Sequence, residues 1–439
     1  MFERIKRLPI VKFIYNLPGT RRAYHLLLAF LGTLIYGRPD RKIFVIGVTG
    51  TKGKTTTLEL LNAVLEAAGR KTALLSSLRA KIGEHSEKNL LGNTMPGRFY
   101  IKKFLRRAVA AHCKYALVEV TSEGVAMHRH RFISWNIGVL TNVAPEHIEA
   151  HGSFEKYRQV KLDFLKYVLG RGGKVLINRD DKSSKFLIDA LEGKKVVTYS
   201  KNDERIFPLI PEPHPVRGAV EAPPFILSEF NKDNVAAAIT LARDLGINEK
   251  IVAEALRDFR GVPGRMEFIR RGPFTAVIDY AHTPASLEAV YRHLKNSRPT
   301  PRAPRLICVL GSAGGGRDKW KRPVMGKVAA QYCDEIILTD EDPYDEKSEE
   351  IIEQIARGSY EFKPPSEVLK ILDRREAVRR AIEIMDDGDI VVVTGKGSED
   401  FIHIAHGKKI PWNERRIVEE ELARKEKRPE PMSGSGLRR

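Results

Sequence analysis

Ile43-Phe-Val-Ile-Gly-Val-Thr-Gly-Thr-Lys-Gly-Lys-Thr-Thr-Thr57 is the stretch from which the rest of the chain is read. Its first half, Ile43, Phe44, Val45, Ile46 and Val48, has the β-branched and aromatic make-up of a buried parallel strand. After it, Leu58, Leu61, Val64, Leu65 and Ala68 recur at helical spacing, and Gly69 suits the position just past a helix end. Strand, glycine turn and helix in that order predict a loop that wraps a phosphate. Gly50, Thr51, Lys52 and Gly53 supply backbone N–H groups, Lys54 reaches the β and γ phosphates, and the Thr55 hydroxyl, followed by Thr56, holds Mg²⁺. The strict spacing asks for glycine at 48, where valine stands, so a plain glycine turn is the competing reading.

The 439 residues suffice for two or three domains. A formal charge of +19 favours anionic partners such as nucleotides, nucleotide sugars, nucleic acid or anionic lipid. No aromatic-interleaved basic signature is present, so no nucleic-acid partner is expected. Cys113, Cys308 and Cys333 lie far apart in apolar runs; they read as buried thiols in a reducing compartment, not as a disulfide or a zinc site. Residues 1–42 form a basic and apolar arm, with Arg4, Lys6, Arg7, Lys12, Arg21 and Arg22 before the run Leu26 to Tyr36. That run is shorter than the roughly 20 residues a bilayer span needs, and no cleavage site follows it. The arm therefore reads as cytoplasmic, either a helix packed on the domain behind it or an amphipathic segment in peripheral contact with a membrane.

Thr72 to Ser76, Tyr115 to Val120 and Ile137 to Val143 continue the alternation of strand and helix. This predicts a doubly wound α/β sheet with ligands at the carboxyl ends of its strands. Those ends carry Glu119 with Thr121 and Ser122, Thr141 with Asn142, and the loop of Glu146, His147 and His151. A carboxylate and an imidazole there would complete a Mg²⁺ shell, although each alone also suits a surface or capping role. Lys161 follows in a helix-like stretch. Desolvated, its neutral amine would react with CO₂ to give a carbamate, an anionic ligand. Val175 to Asp181 reads as a strand and polar turn, Pro208 to Pro224 as an exposed loop, and Phe230 to Asn234 as the opening of a helix that Asn231 could cap. Gly261 to Glu267 reads as a hinge. Beyond it, strands at 274–280, 305–311, 335–339, 368–372 and 390–394 predict a second, Rossmann-like sheet. The domains are accordingly 1–42, 43–262 and 263–423, with a disordered tail at 424–439.

The ordered series Thr49 to Thr56, Asn93-Thr94, Glu119 to Ser122, His128-Arg129, Thr141-Asn142, Glu146-His147, Lys161, Asp279-Tyr-Ala-His282, Gly311 to Lys319, Asp342-Pro343 and Gly395 to Glu399 resembles the Mur ligase family. The likeness runs from 43 to about 415, and is strongest to the branch that adds the third residue to UDP-N-acetylmuramoyl-dipeptide. It implies an α/β chain in which a central P-loop doubly wound domain precedes a Rossmann-like C-terminal ligase domain. It also implies an ATP-dependent, ADP-producing ligase of peptidoglycan precursor synthesis, joining a muramoyl-peptide carboxylate to an amino acid, a diamino acid among the options, through an acyl phosphate. By the same likeness Lys54, His147, Lys161 and Arg317 are catalytic, and Thr55, Glu119, His147 and carbamylated Lys161 hold Mg²⁺. Asn93, Thr94, Thr121, Ser122 and Arg129 face the muramoyl peptide, Asn231 meets adenine, and Arg265, Asp279 and His282 close over the nucleotide. Arg317 and Lys321 face the amino acid and phosphates, while Asp342, Gly395 and Glu399 hold the amino acid.

Three positions depart from the family pattern: Glu146 for Asp, Glu123 for His, and Tyr344 for the arginine that grips a distal carboxylate. Glu341, Asp342, Asp345 and Glu346 gather negative charge around Tyr344, which predicts lysine or another diamine without a distal carboxylate. Only the basic arm stands where members have a uridine-diphosphate domain of about a hundred residues. Folylpolyglutamate synthase, the ligase half of cyanophycin synthetase and, in another class, a P-loop ATPase acting on nucleic acid are the alternatives. The last would not need Glu119, His147 and Lys161 together.

Overall fold

A computed structural model describes residues 20–89, 94–97, 99–146, 148–191, 195–206, 209, 228–296 and 304–427. They belong to two compact units, one of residues up to 213 with 230–259, the other of 214–229 with 260 onward. The first is built on an eight-stranded sheet: β1 (Phe44–Thr49), β2 (Thr72–Leu75), β3 (Arg79–Ile82), β4 (His85–Lys88), β5 (Tyr115–Glu119), β6 (Ile137–Leu140), β7 (Lys174–Asn178) and β8 (Val196–Tyr199). The order across the sheet is β4-β3-β2-β5-β1-β6-β7-β8. All neighbours from β2 to β8 run parallel, and the hairpin of β3 and β4 adds an antiparallel edge. The hairpin's side chains are largely polar, which hides it from a search for apolar strands. β1 sits mid-sheet with Val45, Ile46 and Val48 fully buried, and each such side chain is worth about 1.5–3 kcal/mol of burial. The helix Lys54–Ala67 follows β1, and Gly69 just beyond it has φ 68°, as the spacing predicts.

In the N-terminal arm, Thr20–Tyr36 is a helix. It lays Gly32 against Phe99 and Lys102, at the start of the helix Tyr100–Ala110. Just after it the buried Asp40 accepts from Lys102 at 3.3 Å and from the Ser134 N–H at 3.0 Å. No helix among the described residues is long and apolar enough to cross a membrane.

The second unit holds a six-stranded sheet of β9 (Glu267–Arg271), β10 (Phe274–Asp279), β11 (Leu306–Leu310), β12 (Glu335–Leu338), β13 (Val368–Lys370) and β14 (Ile390–Thr394). Its order is β13-β12-β11-β14-β10-β9, parallel except for β9. A small hairpin, β15 (Phe401–His403) and β16 (Lys409–Pro411), follows. Two expectations are corrected here. The final helix Glu414–Lys427 runs past 424, with Leu422 buried at its last inward turn, so any tail begins after Lys427; 428–439 lie outside the described residues. Cys308 and Cys333 form a disulfide, with Cα atoms 6.0 Å apart, and only Cys113 is a free thiol. A parallel crossover returns the chain beside its starting strand, so Cys308 pairs with Ile336 across the sheet and residues 25 apart in sequence become neighbours.

Candidate active site

In the first unit the order β5-β1-β6 sets three carboxyl ends side by side, which is where an open α/β sheet takes its ligand. Beyond β1 the loop turns at Gly50 (φ 150°) and Gly53 (φ 81°). A Cβ at Gly50 would lie 1.9 Å from Thr141 Oγ1, and one at Gly53 2.1 Å from Asn234 Oδ1, so both positions need glycine for close approach as well as for conformation. Thr141 and Asn142, at the end of β6, clamp the loop: Thr141 Oγ1 donates to the Lys52 carbonyl at 2.6 Å, and Asn142 Oδ1 accepts from the Lys52 N–H at 2.8 Å. Thr51 Oγ1 meets Tyr157 Oη at 3.0 Å and Lys52 pairs with Glu146 at 2.8 Å. Lys54 Nζ donates to the carbonyls of Gly50 and Thr51 at 3.1 and 2.9 Å, which holds its charge over the loop. The loop thus ends on the N-terminus of a 14-residue helix, the polarity that attracts phosphate.

Thr55 and Glu119 meet. Thr55 Oγ1 donates to Glu119 Oε2 at 2.9 Å, and the Ser77 N–H donates to the same oxygen at 3.0 Å. Ser77, 3.0 Å from Thr55 Oγ1 through its own hydroxyl, escaped the sequence reading; its signal was its place just past β2, the strand next to β5. A buried carboxylate beside a hydroxyl is a hard-oxygen donor set that suits Mg²⁺ shared with phosphate. Among the described residues no group of three His, Cys, Asp or Glu side chains is assembled for a metal.

Lys161 lies on the helix Phe154–Leu169, which Ser153 caps by accepting from the Lys156 N–H. The side chain is fully buried, its ammonium 4.4 Å from the centre of the Tyr157 ring. Burial first, then repulsion from Lys54, hold its pKa well below the ordinary lysine value against the attraction of Glu146 and Asp181. Both effects favour the neutral, nucleophilic form of the amine.

Among the residues assigned to the muramoyl peptide, Thr121 caps the short helix Ser122–Ala126 by accepting from the Gly124 N–H. Ser122 Oγ meets His151 Nε2 at 3.1 Å, and Arg129 donates to the Met95 carbonyl at 2.7 Å, beside the half-buried Thr94. Asn93 and His147 lie outside the described residues. Asn231 sits inside the first turn of the helix Glu229–Asp244, not at its cap, and accepts from Asn234 at 3.0 Å. Through Asn234, which accepts from Thr57, it is tied to the helix that carries the loop.

The second unit brings together the ends of β12, β11, β14 and β10. Asp279 is engaged by its own backbone, accepting from the Ala281 and Met266 N–H groups at 2.7 Å each. Arg265 lies 4.0 Å over the Tyr280 ring, Tyr280 Oη donates to Glu399 at 2.9 Å, and Lys321 donates to the His282 carbonyl at 2.9 Å. Lys396, fully buried, joins Asp342 at 2.8 Å and Glu399 at 2.5 Å. For Lys396 burial alone would favour the neutral amine, but Glu399 and Asp342 outweigh it and raise its pKa.

The expected excess of negative charge around Tyr344 is not realised. Asp342 is paired with Lys396, and Asp345 accepts from the His406 N–H. Glu346 meets Arg322 and Lys319, both at 3.0 Å. Against the effect of burial, Arg322, the Gly316 N–H and Lys319 hold Glu346 down to about 2. Tyr344, at φ 53°, stacks on His403 and carries Arg317, whose guanidinium lies 5.0 Å over its ring and donates to its hydroxyl at 2.9 Å. Glu341 is the remaining carboxylate. It is buried beside Gly395, burial raises its pKa, and its Oε2 has no hydrogen-bond partner among the described residues.

Comparison with known proteins gives two domain matches, the Mur ligase middle domain over residues 48–242 and the Mur ligase glutamate ligase domain over 264–397. The UDP-N-acetylmuramoyl-L-alanyl-D-glutamate–2,6-diaminopimelate ligase of Syntrophomonas wolfei is 34% identical over 425 residues, covering 93% of this chain and 83% of that protein. The UDP-N-acetylmuramyl-tripeptide synthetase of a Roseiflexus strain is 35% identical over 412 residues, covering 88% and 80%. Among solved structures, a UDP-N-acetylmuramoyl-L-alanyl-D-glutamate–2,6-diaminopimelate ligase superposes with a TM-score of 0.58 at 26% identity, over 93% of this chain and 84% of that one. A Mycobacterium tuberculosis folylpolyglutamate synthase complexed with ADP and AMPPCP reaches 0.65 at 18% identity, over 84% and 92%, a likeness of fold alone.

Proposed function

This chain belongs to the Mur ligase family, and on that premise we propose that it extends UDP-N-acetylmuramoyl-L-alanyl-D-glutamate by a diamino acid in the cytoplasm, with ATP as the source of activation. As a member it is an ATP-dependent amide ligase of peptidoglycan synthesis. The observation that carries the reading is the trio of strand ends β5-β1-β6, where the glycine loop, Thr55 with Glu119, and the clamp of Thr141 and Asn142 converge. Phosphate would lie on the loop N–H groups with Lys54 against its charge, and Thr55 and Glu119, with His147, would hold Mg²⁺. When bound, the ion spreads the negative charge that builds up when a carboxylate approaches the γ phosphate. Lys161 deepens the site: its neutral amine would take up CO₂, and the resulting carbamate would add a further anionic oxygen to the donor set. Asn231 and Asn234 back the loop for the nucleotide.

The residues that would hold the amino acid belong to the second unit. Asp342, Lys396 and Glu399 form an ion-paired frame beside Gly395, and Arg317 on the Tyr344 platform supplies the guanidinium that the missing arginine would otherwise provide. A distal carboxylate needs such a partner, so we assign meso-diaminopimelate as the preferred amino acid and Arg317 as its grip. One observation favours lysine instead: Glu341 Oε2 is buried without a partner and could meet an ammonium.

Product formation from UDP-N-acetylmuramoyl-L-alanyl-D-glutamate, ATP and either amino acid decides between them. Arg317→Ala is expected to lower kcat/KM about 10- to 100-fold more for diaminopimelate than for lysine, the worth of one charge-assisted hydrogen-bonded pair. A wild type that favours lysine, with Glu341→Gln lowering that activity, establishes the second reading. No ligation of either amino acid removes the proposal.

A further inference from the structure

The helix Thr20–Tyr36 is buried on one side only. His25, Leu28, Gly32 and Thr33 face inward, within an arc of under half the circumference at 3.6 residues per turn. The opposite arc is apolar and exposed, with Leu26 at 37%, Leu27 at 54%, Leu34 at 62% and Ile35 at 63%, while Phe30, at 44%, lies edge-on to Phe132. A helix on a water-facing surface carries polar groups there, and a contiguous apolar stripe marks a surface that meets something.

The charge around the stripe says what it meets. The helix contains Arg21 and Arg22 and no acidic residue, and the helix it packs on, Tyr100–Ala110, contains the exposed Lys103, Arg106 and Arg107 and again no acidic residue. Past the stripe come Arg38, Arg41 and Lys42, with Arg41 and Lys42 exposed. Asp40, within this segment, is buried against Lys102. Residues 1–19 add Arg4, Lys6, Arg7 and Lys12 against Glu3 alone. At 17 residues the helix is too short to cross a bilayer, but it has the two features of a helix that lies in its surface, an apolar face and basic residues next to both its ends.

We propose that this face rests on the surface of an anionic bilayer, the stripe at the boundary of the acyl chains and the surrounding lysines and arginines among the lipid phosphates. The contact is independent of the ligase reading and of which amino acid is added. It would hold the enzyme at the membrane without a spanning segment.

The full chain is tested by flotation with vesicles of phosphatidylcholine, with and without phosphatidylglycerol. Binding is expected to the anionic vesicles only, to weaken as salt rises, and to fall about tenfold or more in a Leu27→Ser, Leu34→Ser, Ile35→Ser variant that keeps its melting temperature and ligase activity. A second measurement places an environment-sensitive dye on Leu34→Cys. Cys113 is buried and the other two cysteines are paired, so the label goes to that site. Its emission should be that of a water-exposed dye without vesicles and shift blue with anionic ones. No binding to anionic vesicles, equal binding by the triple variant, or a dye already shielded in the absence of lipid, by residues 1–19 or by a second copy, each overturns the proposal.

Discussion

Lys161 is a cation that its surroundings disfavour, since it is fully buried with Lys54 as a repelling neighbour. The proposed carbamate would turn that disfavoured charge into a metal ligand. Lys161→Ala should therefore lower kcat at least about a hundredfold, or 2.7 kcal/mol of barrier, without lowering the melting temperature. Acetate or another short carboxylate should restore part of the rate, and full activity in the unrescued variant sinks the idea. His130 is a different kind of buried titratable group. It lies edge-on to Phe164 and Tyr167, neither ring nitrogen has a partner among the described residues, and burial, then Arg131 and His128, lower its pKa to about 3. The unfolded chain binds that proton near pH 6.5, so stability is lost as pH falls from there toward 3. Between pH 7.5 and 5.5 the loss is about 1.4 kcal/mol. Urea unfolding at the two pH values should show it in wild type and show it reduced by that amount in His130→Phe; equal pH dependence in both proteins is the contrary outcome. Lys161 could be suspected from its position after Glu146-His147, whereas nothing in the sequence separated His130 from a surface histidine.

At the scale of elements, the strand-loop-helix at 43–68 was legible because each part carries its own local signal: β-branched residues, glycines, helical spacing. The pairing of Cys308 with Cys333 was not, because proximity there comes from the crossover between β11 and β12 and not from sequence spacing. Closing that loop is worth about 3–4 kcal/mol on a chain-entropy account, for a separation of 25 residues. Denatured without reductant, the protein should titrate one thiol, that of Cys113, and reduction should move the urea midpoint of unfolding down. Three thiols before reduction would show that β11 and β12 do not hold the bond.

Across the whole molecule there are two units, each with a mostly parallel sheet and its own core. Glycine loop and Lys54 lie in the first, so a nucleotide bound there stabilises the chain by mass action, about 2.7 kcal/mol at a hundred times its Kd. ATP with Mg²⁺ should raise the melting temperature of wild type and fail to do so in Lys54→Ala. That variant should otherwise melt close to wild type, since the loop carbonyls to which Lys54 donates can be satisfied by water in its place. An equal nucleotide shift in both proteins places the phosphate elsewhere.

By itself the sequence determined the succession of strands and helices, the phosphate loop, the family and most of the candidate residues, because hydrophobic periodicity and glycine placement are local and each motif has a fixed order along the chain. Tertiary structure alone decided which of those residues touch. The sheet order β2-β5-β1 brings Glu119 and Thr55 together across 64 positions and adds Ser77 to them. The same kind of long-range closure paired Asp342 with Lys396 and Glu346 with Arg322, cancelling a negative patch that a count of acids in 341–346 had suggested. Charge in a sequence is a sum, but its effect at a site depends on distance and burial, and those are set only when strands distant along the chain are laid side by side.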